Sequence, residues 1–157
     1  MSSEIKFKPV ASVQCPRTEP LDDHWGKVVS TIALDPAQFT PESLEELDAF
    51  SHIDVIYFFH HVSEDKIETR ARHPRNRTDW PRVGIFAQRG KNRPNRIGLS
   101  VCRLLKVEGL TITVEGLDAI DGTPVLDIKP HMKEFEPRGV VRQPAWSVEL
   151  MAHYYSD

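Results

Sequence analysis

Short apolar runs alternate along the chain with polar, turn-rich stretches, and most of the runs repeat with a period of two. IKFKPVASV (5–13) alternates apolar and polar positions as a half-buried strand does. KVVSTIAL (27–34) is rich in β-branched residues, which favour strands, and Asp35-Pro36 ends it. HIDVIYFFHH (52–61) is a near-continuous β-branched and aromatic run, the pattern of a strand buried on both sides or of a barrel strand. VGIFA (83–87) predicts a short strand. LSVCRLLKV (99–107) and LTITVEGL (110–117) flank Glu108-Gly109, a hairpin signal. DAIDGTPVLDIKP (118–130) holds a turn at Asp121-Gly122 and then the strand VLDIK. One helix is expected at about 41–49. Thr40 reads as its cap, Pro41 as its first residue, and Leu44, Leu47 and Phe50 follow at helical spacing.

The intervening segments read as loops. Residues 15–26 combine two prolines, acids, an aromatic and a glycine, and 131–144 is loop-rich. Residues 63–82 carry Arg70, Arg72, Arg75 and Arg77 near two prolines and read as a long, mobile surface insertion. AWSVELMAHYYSD (145–157) fits a short strand or a short helix. Many short strands with regular turns predict a mainly antiparallel β fold, and closure into a barrel would protect its edges. No strand–helix alternation supports a parallel doubly wound sheet, and neither GxGxxG nor a P-loop occurs.

The 157 residues suffice for one domain with a real core. No apolar run approaches the roughly 20 residues of a transmembrane helix, and MSSEIKFKPV lacks the apolar centre of a signal peptide. Cys15 and Cys102 lie far apart without a CxxC and read as reduced thiols, so a cytoplasmic protein is expected. Charge changes the picture more. The net charge of -3 hides a basic segment, Lys66 to Lys106, with 12 Lys/Arg against two acids; the rest holds 8 Lys/Arg against 21 acids. Such asymmetry points to a polyanionic partner, or to pairing of the basic segment with acidic ones in the fold. Its densest part is RGKNRPNRIGLS (89–100).

Candidate chemistry is sparse. His60-His61 ends an expected strand, where adjacent side chains point to opposite faces, so the pair is a poor metal site. The other histidines show no HxxxH or HExxH spacing, and no metal is expected. No serine lies in a nucleophile elbow. Trp25 beside Asp22 and Asp23 could receive a cationic ligand. Asp118, Asp121 and Asp127 surround the Gly-Thr-Pro turn, and turn formation alone explains Asp121.

FSHIDVIYFFHH, VGIFAQRGKNRPNRIGLSV and LDAIDGTPVLDIKP occur in an order and spacing that resembles the TsaA-like domain family, the domain of the TrmO-type S-adenosylmethionine-dependent tRNA methyltransferases. The resemblance covers about residues 5–145. It implies one domain over 1–157, folded as a small antiparallel β-barrel with one or two short helices. It implies a homodimer with S-adenosylmethionine near the subunit interface. The reaction implied is methyl transfer to the exocyclic amine of threonylcarbamoyl-adenosine beside the anticodon of tRNA. A small-molecule methyltransferase, or a cofactor- or RNA-binding module without turnover, is the alternative.

Carried over residue by residue, the cofactor pocket maps to Leu21, Asp22 and Asp23, to His60 and His61, to Arg89, to Leu99 and Ser100, and to Thr123, Pro124, Val125 and Leu126. Arg89 would pair with the methionine carboxylate. Arg93, Asn95 and Arg96 would contact RNA, and the arginines of 70–82 would add a phosphate track. Asp118, Asp121 and His61 are the candidates for a proton acceptor. Two departures stand out. The family pattern usually reads RPNPIG, where this chain has Arg96 in place of the second proline. Some members also carry an additional C-terminal domain, and none is expected in a chain that ends at Asp157.

Overall fold

The computed structural model describes residues 3–157, so the first two residues of the domain expected over 1–157 lie outside the described residues. Eight strands run in order: β1 (Ala11–Gln14), β2 (Val29–Leu34), β3 (His52–Phe58), β4 (Ala71–Arg72), β5 (Val83–Gly84), β6 (Ile97–Glu108), β7 (Thr111–Glu115) and β8 (Pro124–Pro130). Six of them close into an antiparallel barrel in the order β1-β2-β7-β6-β3-β8. Closure comes from β8 pairing back to β1, with Ala11 opposite Val125 and Ser12 opposite Pro124. The barrel expected from strand count and turn spacing is the one observed. β4 and β5 form a separate two-stranded ribbon.

The period of two explains the core. Val13, Ile32, Ile53, Val55, Ile112, Val114 and Val125 point inward and are fully buried. β3 is a barrel strand rather than one buried on both sides, because Ile53, Val55 and Tyr57 are buried while the residues between them are partly exposed. β6 and β7 meet in the hairpin expected at Glu108-Gly109, where Gly109 takes the positive φ of 61° that the turn requires.

Four expectations are corrected. The strand expected at 83–87 forms only at Val83–Gly84, and Ile85–Ala87 turns as a 3-10 helix. Of the strand expected over 5–13, only β1 forms, because residues 3–9 are exposed and pair with nothing on the barrel. The helix expected at 41–49 is two 3-10 turns, Pro41–Leu44 and Leu47–Ala49, broken at Glu46 with φ 65°. Leu44, Leu47 and Phe50 repeat every third residue, which suits three residues per turn, and Thr40 makes no side-chain cap bond. The segment 63–82 is packed rather than a free insertion. Pro74 and Trp80 are buried, and the β4–β5 ribbon braces it. The unassigned C-terminal segment contains the one α-helix among the described residues, α1 (Ala145–Met151). None of these helices is long and apolar enough to cross a membrane.

Candidate cofactor and RNA site

β3 pairs with β6 along one edge and β8 along the other, so Tyr57 sits opposite both Gly98 and Val125. The chain after β3, the start of β6 and the turn into β8 therefore meet at one end of the barrel. His60 and His61 lie there. β3 ends at Phe58, so the pair occupies a turn, and the rings lie side by side with centroids 4.1 Å apart. The expectation of opposite faces fails for that reason. His60 faces the β8 turn: a Cβ added at Gly122 would start 3.6 Å from its Nε2. Partial burial, and then the neighbouring His61, lower the His60 pKa below the ordinary imidazole value.

Leu99 and Ser100 point to opposite faces of β6. Leu99 is exposed, and its carbonyl accepts a hydrogen bond from Arg89 Nη2 at 3.0 Å. Ser100 is buried (4% exposed), and its Oγ has no hydrogen-bond partner of good geometry. In the β8 turn, the Thr123 hydroxyl donates to the Ile120 carbonyl at 2.7 Å, and Val125 fills the core. Pro124 and Leu126 are half-buried. Thr123 and Val125 are thus committed to the barrel, because the Thr123 amide bonds Ile120, its carbonyl accepts from Val13, and the Val125 carbonyl accepts from Val10.

Under this end lies a phenol–carboxylate cluster. Tyr57 donates to Asp118 Oδ1 at 2.9 Å, and Tyr154 donates to Oδ2. Burial first, and the Asp118 charge second, push the Tyr57, Tyr154 and Tyr155 phenols above their usual range. The same two causes push the Cys102 thiol up to about 12, so it is an inert core thiol. Asp121 instead holds a loop: its Oδ1 accepts from the Cys15 amide at 3.0 Å, and its own amide donates to the Arg17 carbonyl at 2.8 Å.

That loop carries Leu21, Asp22 and Asp23, which line an open cleft of about 490 Å³ with Arg17 and His24. Asp23 is already engaged, since its two oxygens accept from Arg75 at 2.9 and 3.3 Å. The acids and the basic segment do pair here, at least in part. Trp25 is buried, and the cation over its ring, 3.8 Å from the centroid, is the chain's own Arg17.

The basic loop is held from within. Arg93 Nη1 donates to the Gln88 carbonyl and Arg96 Nη1 to the Val62 carbonyl, each at 2.6 Å. The Arg96 guanidinium also lies 4.7 Å from the Phe58 ring centroid. Asn95 is exposed, and Asn95 and Arg96 have left-handed φ of 61° and 50°. Arg77 pairs with Asp79, whereas Arg70 and Arg82 are exposed and make no ion pair among the described residues. Among the described residues no three His, Cys, Asp or Glu side chains group as metal ligands.

The sequence reading missed Tyr57, Tyr154 and Tyr155. Tyr57 had a signal, as an inward position of an alternating strand that carries a hydroxyl. The tail tyrosines had none, because they reach Asp118 only through the fold.

Residues 11–137 match the model of the tRNA-methyltransferase O N-terminal domain. The chain belongs to this family. A human tRNA (adenine(37)-N6)-methyltransferase is 39% identical over 114 residues, which is 73% of this chain and 25% of that protein. A probable S-adenosyl-L-methionine-binding protein of Methanothermobacter thermautotrophicus is 33% identical over 87% of this chain and 96% of its own length. The crystal structure of TrmO from Pseudomonas aeruginosa superposes with a TM-score of 0.75 at 26% identity, covering 93% of this chain and 63% of that one. The chain thus spans a quarter of the human relative and under two thirds of the TrmO chain. The resemblance first read from three motifs is a family relationship, and α1 and the tail tyrosines lie beyond the matched residues.

Proposed function

We propose that this domain is a S-adenosylmethionine-dependent tRNA methyltransferase acting on the N6 amine of the adenine beside the anticodon, in its threonylcarbamoyl form. The observation that carries the reading is the meeting of Arg89, Ser100, His60, His61 and the Thr123–Leu126 turn at one barrel end in a member of this family. The residues fit such a cofactor. Ser100 offers a buried hydroxyl, Arg89 a cation for a carboxylate, and the turn the half-buried surfaces of Pro124 and Leu126. The names of the human and archaeal relatives agree with that assignment.

When bound, S-adenosylmethionine supplies an electrophilic methyl group on a sulfonium. The chain's own part is to align the acceptor, which alone lowers a barrier by several kcal/mol, on the order of 7–11 when alignment is ideal. A proton must also leave the acceptor amine. Asp118 accepts phenol protons with both oxygens and Asp121 binds the Cys15 amide, while His61 makes no hydrogen bond among the described residues. His61 is therefore assigned as the proton acceptor. Arg93, Asn95 and Arg96 present the loop to RNA, with Arg70 and Arg82 as free cations for phosphate. A homodimer is part of the same proposal.

The test is transfer of a labelled methyl from S-adenosylmethionine to tRNA, followed by nucleoside digestion. Label in methylated threonylcarbamoyl-adenosine is expected. Label in unmodified adenosine would remove the threonylcarbamoyl part, and cofactor binding without transfer to any tRNA would sink the whole proposal.

A further inference from the structure

The C-terminal segment 145–157 lies beyond the family-matched residues, yet it reaches three parts of the site. Its backbone binds the cofactor-side loop, with the His24 amide donating to the His153 carbonyl at 3.0 Å and the Trp25 amide to the Tyr154 carbonyl at 2.8 Å. Its helix holds the basic segment, where Trp80 Nε1 donates to Glu149 at 2.7 Å. Its Tyr154 donates to Asp118 at the barrel end. The fit is tight: a Cβ on Gly26 would stand 2.0 Å from the Tyr155 carbonyl oxygen, where backbone cannot yield cheaply.

These contacts fix the next residue. Tyr155 packs edge-on against Tyr154, with ring centroids 4.9 Å apart. Its phenol lies beside Ser100, within the fields of Arg89 and Asp118. Half of its surface remains exposed (50%), although its neighbours Ser100 and Cys102 are buried. A half-exposed aromatic ring, packed on Tyr154, thus stands at this barrel end with its hydroxyl beside the buried Ser100.

We infer that Tyr155 forms a wall of the cofactor site and contacts the sulfonium end of S-adenosylmethionine, with Tyr154 and Asp118 as its positioning residues. The inference rests on the cofactor reading of the preceding section. An aromatic face attracts a cation, and the Asp118 charge adds to that attraction. The neutral thioether of S-adenosylhomocysteine gains neither. Tyr155 therefore discriminates the methyl donor from its spent product, which a residue that merely filled space would not do.

Calorimetric titration of the full chain with each of the two ligands tests this. Tyr155→Ala is expected to weaken S-adenosylmethionine roughly tenfold, in line with the loss of a desolvated cation–aromatic contact, and to weaken S-adenosylhomocysteine less. Tyr155→Phe keeps the face and is expected to bind within about threefold of wild type, since a phenyl ring is only a slightly weaker cation acceptor. Gly26→Ala, which displaces the tail and Tyr155 with it, is expected to weaken S-adenosylmethionine at least as far as Tyr155→Ala does. Thermal unfolding of each variant separates weakened binding from a damaged fold. Equal losses for both ligands, or Tyr155→Ala binding as well as or better than wild type, would overturn the inference. A wild-type chain that binds neither ligand would instead overturn the cofactor reading itself.

Discussion

Gly98 sits on β6 directly opposite Tyr57 on β3, and its missing side chain is where the Tyr57 ring lies. A methyl group there would stand 2.5 Å from both Cε2 and Cζ of that ring and 3.0 Å from Cζ of Phe59. Ordinary carbon contacts are about 3.5–4 Å, so the Tyr57 ring must retreat by about 1 Å. It cannot do so freely, because it is 2% exposed and its hydroxyl is bonded to Asp118 at 2.9 Å. Overpacking of this kind costs about 1–3 kcal/mol. Loss of a hydrogen bond to a carboxylate adds roughly 1.5–3 kcal/mol. Gly98→Ala is therefore expected to destabilise the chain by about 2.5–6 kcal/mol, or on the order of 5–24 °C in Tm for a domain of this size. Urea denaturation gives the first number and calorimetry the second. Tyr57→Phe isolates the hydrogen-bond share. In the double variant Gly98→Ala/Tyr57→Leu the ring is gone, so the two losses should fall well short of additive. A Gly98→Ala chain within about 0.5 kcal/mol of wild type would refute the reasoning, as would strict additivity.

Arg96→Pro restores the residue usual in the family, yet it is expected to destabilise this chain by about 3 kcal/mol in thermal unfolding, because proline cannot adopt a φ of 50° and removes the amide that donates to Arg93. His131 bridges Asp54 and Glu136, first through the Asp54 hydrogen bond, and its pKa is raised. A raised histidine pKa contributes stability below the unfolded value near 6.5 that is lost as pH rises through the folded value. The Tm deficit of His131→Gln should accordingly be larger at pH 5.5 than at pH 8.5. Trp80→Phe removes the bond to Glu149 and should cost about 1 kcal/mol, with faster hydrogen exchange confined to α1 and its neighbours. Arg70→Ala and Arg82→Ala should flatten the salt dependence of tRNA binding without changing Tm, since neither guanidinium makes an ion pair among the described residues.

What could be read from the sequence follows from range. The barrel strands were legible because alternation is local, and so was the β6–β7 hairpin, whose turn residues carry their own signal. The short helix was misjudged because a spacing of three serves a 3-10 turn as well as an α-helix, and Glu46 gives no warning of its left-handed φ. At Arg96 the sequence showed a lost proline and an added cation. Only the fold shows that the cation bonds Val62 across 34 residues and so helps to hold the loop. The residues of the site came from motif resemblance, whereas the Tyr57–Asp118–Tyr154 cluster joins positions 61 and 36 residues apart and has no local trace.

The barrel closes through β1 and β8, and that seam has a kinetic meaning. Only β6 and β7 are joined by a tight turn; the other neighbouring strands are separated by longer stretches of chain, and Ala11 must find Val125 across the longest of them. Bringing such distant ends together costs about 4 kcal/mol of loop entropy before any contact rewards it. The Val10–Val125 and Val13–Thr123 hydrogen bonds and the Cys15–Asp121 contact all depend on that event. During synthesis, β1 can pair with β2 early but must wait for β8 to leave the ribosome before it meets its second partner. The turn at 121–126 belongs to this seam, so the ligand-facing end of the barrel is expected to form late in folding.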